Sequence, residues 1–163
     1  MQEIYVGNVG KVLQNKKKLE SELEVKITNK GKLIFVDGKA EKEFTALQVM
    51  EAIKLGFSVD KALLLQNEEI ILQTVHIKDI TKRQDLGRVR ARIIGTQGKT
   101  LKTLNNITNC EFSVLDNEVG IIGSTEAIED GKQSIISIVQ GSKQSNVYSR
   151  AEKQRKRKRL EPA

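Results

Sequence analysis

Hydrophobic and polar positions alternate along the chain in two rhythms, one of period two and one of helical period, and the rhythms change over in the same order twice. Glu3–Val6 alternates polar with apolar and predicts a short strand. Lys16–Leu23 carries Leu19 and Leu23 one helical turn apart, a short amphipathic helix. Glu24–Thr28 alternates again, Asn29–Lys32 has the residues of a hairpin turn, and Leu33–Val36 reads as the return strand. Ala40–Leu55 follows with Phe44, Leu47, Val49 and Ile53 at helical spacing, and Gly56 suits its C-cap.

Phe57–Asn67 reads as a short connecting helix with Ser58 as its N-cap. The sequence of rhythms then repeats. Ile70–Ile77 is a strand candidate, and Arg88–Ile94 and Leu101–Ile107 are helical in pattern on either side of Gly95-Thr-Gln-Gly98. Glu111–Leu115 and Val119–Ile122 flank an Asp-Asn turn, and Thr125–Val139 is a helix closed by Gly141. Gly38 and Gly123, Ile53 and Ile138, Gly56 and Gly141 stand 85 residues apart, whereas Val12-Leu13 and Ile93-Ile94 stand 81 apart. The chain is a duplication with small insertions and deletions.

Composition narrows the chemistry. One Cys excludes an intramolecular disulfide, and one Cys with one His cannot ligate a structural zinc. No apolar run reaches membrane-spanning length, and the first ten residues lack the pattern of a secretory signal. With the lone thiol, that points to the cytoplasm. The net charge of +7 is concentrated. Lys82–Lys102 holds seven basic residues against Asp85, and residues 150–163 hold Arg150, Lys153, Arg155, Lys156, Arg157, Lys158 and Arg159 against two glutamates. The rest of the chain is mildly acidic. Two basic segments on an acidic body suit a polyanion, because phosphate contacts dominate nucleic-acid affinity.

The stretch Ile93-Ile94-Gly95-Thr96-Gln97-Gly98-Lys99-Thr100-Leu101 is the most specific chemistry in the sequence. Two glycines permit a sharp turn and close approach of a ligand to backbone. The start of the following helix favours anions. Lys99 and Lys102 add flexible cations, and Arg88, Arg90 and Arg92 lie just before the loop. A nucleotide-binding P-loop would need glycine at position 93, where Ile stands.

The order Ile-Ile-Gly-x-x-Gly-Lys-x-Leu, helix, hairpin, long helix resembles a K-homology (KH) domain of type I. In that family the Gly-x-x-Gly loop clamps about four nucleotides of single-stranded backbone. The resemblance implies an apolar groove built here by Ile93, Ile94, Leu101, Phe112 and Val114. "GRVRARIIGTQGKTLKTL", "VGIIGSTEAIEDGKQSI", "GSKQSNVY" and "AIKLGFSVDKALLL" are similar to the tandem-KH pre-ribosomal RNA-processing proteins of archaea, relatives of the eukaryotic partner-of-Nob family. That likeness covers residues 1–155. It implies binding of single-stranded small-subunit ribosomal RNA near its 3′ end. It also implies partnership with the Nob-type endonuclease and with the alpha subunit of translation initiation factor two.

The expected fold is therefore α+β: two packed type-I KH modules, βααββα each. The expected divisions are a first module over 1–56, a helical linker over 57–69, a second module over 70–148 and a basic C-terminal tail over 149–163. The first module departs from the pattern, since its loop slot reads Gln14-Asn15-Lys16-Lys17 without glycine. It reads as a degenerate module offering a protein or shape-reading surface. The alternative is a weaker RNA site using Lys16, Lys17 and Lys18 as point charges. Cys110 reads as a small buried hydrophobe, and His76 with Asp79 makes no catalytic constellation, so the expected function is non-catalytic and cofactor-free. The basic run at 150–159 is a solvated helix end, a disordered arm or a set of phosphate contacts. An adaptor of translation initiation or RNA turnover, in which protein docking dominates, is the competing function.

Overall fold

Each half of the chain builds one three-stranded sheet around a tight hairpin. The computed structural model of the chain describes residues 1–160. In the first half the elements are β1 (Gln2–Tyr5), α1 (Val9–Gln14), α2 (Lys16–Leu23), β2 (Lys26–Lys30), β3 (Leu33–Asp37) and α3 (Ala40–Lys54). Then come α4 (Val59–Ala62) and a 3-10 turn at Leu63–Gln66. The second half has β4 (Ile70–His76), α5 (Ile77–Ile80), α6 (Leu86–Ile94), a 3-10 turn at Thr96–Gly98 and α7 (Lys99–Thr108). It continues with β5 (Glu111–Leu115), β6 (Glu118–Ser124), α8 (Ile128–Val139) and α9 (Gln144–Leu160).

The sheet orders are β1-β3-β2 and β4-β6-β5, the same βααββα winding twice. In the first sheet β3 is central and antiparallel to both neighbours, with Ile27 opposite Val36. In the second, β5 and β6 are antiparallel, Phe112 facing Ile121, around a turn in which Asp116 adopts φ of 52°. Helices cover one face of each sheet. Val36, Met50 and Ile53 of the first core correspond to Ile121, Ile135 and Ile138 of the second, and all six are fully buried. The duplication is thus a duplication of packing.

The same holds for the way each module ends. Gly56 and Gly141, at φ of 102° and 103°, follow α3 and α8. Gly56 N–H donates to Ile53 O and Phe57 N–H to Ala52 O, and Gly141 and Ser142 repeat both bonds to Ile138 and Ser137. These are Schellman caps, which satisfy the last helical carbonyls. A cation from the helix that precedes the loop slot of each module completes them. Lys11 of α1 donates to the Gly56 and Phe57 carbonyls at 3.5 and 3.2 Å. Arg92 of α6 donates to the Ile138 and Ser142 carbonyls at 2.9 and 2.7 Å.

A close approach at the hairpin is shared too. A Cβ on Gly38 would lie 3.1 Å from Val25 Cγ1, and one on Gly123 only 2.7 Å from Cys110 Sγ. Cys110 is fully buried, and burial pushes its thiol above the usual range. Gly123→Ala is therefore expected to cost about 1–3 kcal/mol, as overpacking of a filled core does. Denaturant unfolding measures it, and adding Cys110→Ala should recover part of the loss, because the two sites share the space.

The chain divides into compact units after Leu72. Residues 59–66, expected as part of a linker, form α4 and the 3-10 turn and pack on α3 within the first unit. The stretch expected as a tail from 149 belongs to a helix that starts at Gln144 and lies against α7 and α8. Val147 and Ala151 are its buried contacts. The last three residues of the expected tail lie outside the described residues. Among the described residues no helix is long and apolar enough to cross a membrane, and no cluster of His, Cys, Asp or Glu could hold a metal ion.

Candidate nucleic-acid interface

The Gly95–Gly98 loop joins α6 to α7, and each glycine is required for a different reason. Gly95 has φ of 78°, and a Cβ there would sit 2.2 Å from Thr100 Oγ1 and 2.6 Å from Thr100 N. The loop folds back so closely on the first turn of α7 that no side chain fits. Gly98 has open space around it but adopts φ of 75°, a conformation that glycine tolerates and other residues rarely do. Between them Gln97 is also left-handed, at φ of 55°. Thr96 and Gln97 are exposed and open the 3-10 turn, so their N–H groups lie outside its hydrogen-bond ladder.

The cations around this loop divide into two groups. Lys99 and Lys102, one turn apart on α7, are exposed, and Arg88 is exposed on α6. Arg90 instead donates to Asn117 Oδ1 in the β5–β6 turn at 2.6 Å. Arg92 is committed to the cap of α8 described above. Sequence reasoning placed all three arginines on the loop's rim. Arg88 is exposed near the start of α6, about two turns from the loop, and Arg92 holds the module together. Arg83 pairs with Asp85, which holds that carboxyl below the ordinary range and leaves little net charge at the entry to α6.

The apolar wall also sorts by depth. Ile94 on α6, Leu101 on α7 and Val114 on β5 are half-buried. Ile93 is fully buried and Phe112 is 9% exposed, so these two belong to the core and not to a wall that a ligand could touch. Phe112 and Val114 share one face of β5, and Phe112 lies the deeper of the two.

Helix α9 brings further basic residues to this module, and some are spent on docking. Arg155 donates to the Asn106 carbonyl at the end of α7 at 2.9 Å. Lys158 pairs with Asp130 at 2.9 Å and donates to the Glu126 carbonyl, and Arg150 donates to Ser137 Oγ at 3.5 Å. Lys153, Lys156, Arg157 and Arg159 are exposed. Asn106, Asn117, Glu126 and Asp130 were not singled out from sequence. The signal for the last two was the spacing 147-151-154-158 on α9, diluted because only its first two positions are apolar.

The first module lacks the loop. Asn15 alone separates α1 from α2, and its side chain donates to Lys11 O at 2.8 Å, sealing the junction. No left-handed turn is made there, and Lys18 pairs with Asp60. His76 stands 3.4 Å from Glu118 and both are solvent-exposed, with no nucleophile in the constellation.

The family model for the second KH domain of the Pno1 proteins, a eukaryotic-type KH domain (KH-domain type I), matches residues 71–156. The chain belongs to the type I KH family. Its relatives include a KH domain-containing protein of Methanocaldococcus jannaschii, 29% identical over 94% of this chain and 70% of that one. The pre-rRNA-processing protein pno1 of Schizosaccharomyces pombe is 30% identical over 78% of this chain. The chain spans 56% of that relative's length. Among solved structures, Dim2p of Pyrococcus horikoshii is similar with a TM-score of 0.85 and 30% identity, over 94% of this chain and 99% of that one. A structure of the a/eIF2alpha–aDim2p–rRNA complex from the same organism gives a TM-score of 0.86 at 28% identity, over 96% of this chain and 94% of that one. The type I assignment of the sequence reading and both KH windings agree with these neighbours.

Proposed function

We propose that this KH protein binds single-stranded small-subunit ribosomal RNA near its 3′ end during subunit maturation, as a non-catalytic factor in the cytoplasm. The observation that carries the reading is the Gly95–Gly98 loop. Its two positive-φ glycines, its two exposed central residues and Lys99 and Lys102 beside it suit a phosphate backbone. Ile94, Leu101 and Val114 supply the apolar wall on which bases lie. The related Dim2p has been captured with rRNA, and related Pno1 proteins are named for pre-rRNA processing. The exposed cations of α9 extend the phosphate track. Partners of the proposed assembly are the alpha subunit of translation initiation factor two, present with the related Dim2p in its rRNA complex, and a Nob-type endonuclease. A translation adaptor is the second reading, favoured by the same complex.

Ultraviolet crosslinking of the whole protein to small-subunit rRNA tests the proposal. Crosslinks should concentrate at the RNA's 3′ end and, on the protein, at Thr96–Lys102. Crosslinks scattered over the RNA would favour the adaptor.

A further inference from the structure

Internal duplication makes α3 and α8 equivalent, so Glu41, Thr45 and Gln48 correspond to Glu126, Asp130 and Gln133 at the same spacing of 85. In the second module this helix face is occupied. The basic helix α9 lies along it, with Arg150 at Ser137 and Lys158 at Asp130 and the Glu126 carbonyl. In the first module the segment after the equivalent cap is far shorter. Helix α4 and its 3-10 turn pack on α3, where Val49, Ala52 and Ile53 are buried. The N-terminal part of α3 is left open, and Phe44 is 67% exposed.

Beside that open part lies a groove of about 580 Å3, lined wholly by residues of the first unit. Phe44, Leu65, Ile70 and Ile71 give it an apolar floor, and Glu41 and Glu68 carry its charge. Among the described residues no Lys, Arg or His lines it. The groove's charge is carried by carboxylates alone, and it lies apart from the two basic segments that carry the chain's positive excess. Its carboxylates repel a phosphate backbone and attract cations. Its apolar floor asks for an aliphatic or aromatic side chain.

We propose that this groove docks a basic amphipathic helix of a partner protein, held on α3 as α9 is held on α8. The second module is the internal template: the same helix face there takes a helix whose lysine meets the carboxylate of Asp130. In the first module Thr45 stands in place of Asp130, and the change at the position before it fits a partner from outside the chain. Phe44 stands where the second module has Glu129, and an exposed aromatic gives an incoming helix the anchor that a covalently attached one does not need. The proposal is independent of the RNA reading, since none of its residues belongs to the Gly95–Gly98 loop or its surroundings.

The test uses the full chain and two fluorescein-labelled 16-residue peptides, one of Leu and Lys spaced as an amphipathic helix, the other of Leu and Glu in the same pattern. Fluorescence anisotropy should show binding of the Leu/Lys peptide and little of the Leu/Glu peptide. Glu41→Lys with Glu68→Lys should weaken the first by about tenfold and let the second bind. Phe44→Ala should weaken the Leu/Lys peptide by about fivefold. All three side chains are exposed, so single-stranded RNA affinity should not move, and melting temperatures should fall only by the small loss of the Glu41 carboxylate from the first turn of α3. Equal affinity for both peptides, or no response to the charge reversal, would overturn the proposal. So would RNA crosslinks at Phe44, which would make RNA the occupant, or a dimer that Phe44→Ala converts to monomer, which would make it a second copy.

Discussion

Thr96→Asp combined with Gln97→Asp is expected to lower single-stranded RNA affinity about 100-fold, or about 2.7 kcal/mol, with no change in the unfolding transition. Both side chains are exposed and touch no part of the core, so the variant keeps the backbone and changes the charge. Two carboxylates then stand where phosphates must approach, opposing Lys99 and Lys102. Binding isotherms with a short unstructured RNA, beside denaturant melts, make the measurement. Replacing Gly95 is a poorer test, because its Cβ would collide with Thr100 and deform the loop whatever its charge. Arg92→Ala gives the complementary control. It frees two cap carbonyls, so stability should fall by about 1–3 kcal/mol while the folded fraction still binds RNA. Undiminished affinity in the Thr96/Gln97 variant would remove this loop from the RNA path.

The second large effect is expected on α9 and separates its two faces. Lys153→Gln, Lys156→Gln and Arg157→Gln together leave Val147, Ala151, Arg155 and Lys158 in place, so the fold should be untouched. If all three cations meet phosphates, the slope of log affinity against log salt should fall by about two units, at about 0.7 per phosphate on a single strand. Ranking among RNA sequences should persist, since such contacts position the ligand without reading bases. Removing residues 150–163 outright is a different experiment. It deletes Ala151, Arg155 and Lys158 from contacts with α7 and α8, and the second module should melt earlier. A salt slope unchanged by the triple substitution would mean that the free face of α9 does not track the backbone.

Much of the second module was legible in the sequence because its signals are local. The hairpin turns, the Gly-x-x-Gly and the caps depend on residues within a few positions of one another. What was hidden depends on tertiary partners. Arg92 and Arg88 look alike in a basic helix, and only the fold shows that Arg92 points at the end of α8. Ile93 and Ile94 are adjacent and equally apolar, and the helical turn sends one into the core and leaves the other half-open. Helix α1 escaped notice because, at six residues, Val12 is its one buried side chain and no period can develop. The basic end of the chain read as a tail because its docking rests on cations meeting a carboxylate and carbonyls on distant elements, which hydrophobic patterning does not record.

The paired caps at Gly56 and Gly141 fix the direction in which the polypeptide leaves each module. Lys11 and Arg92 fasten that exit to the helix before the module's own loop slot, so its orientation is set within the module. What comes after is free to differ, and it does: a four-residue α-helix with a 3-10 turn after one exit, a seventeen-residue helix after the other. The module behaves as a socket with a standard outlet. Attachments can be lengthened, charged or exchanged at that point without retuning the core behind it, and a duplicated fold could in this way have given its two copies different work.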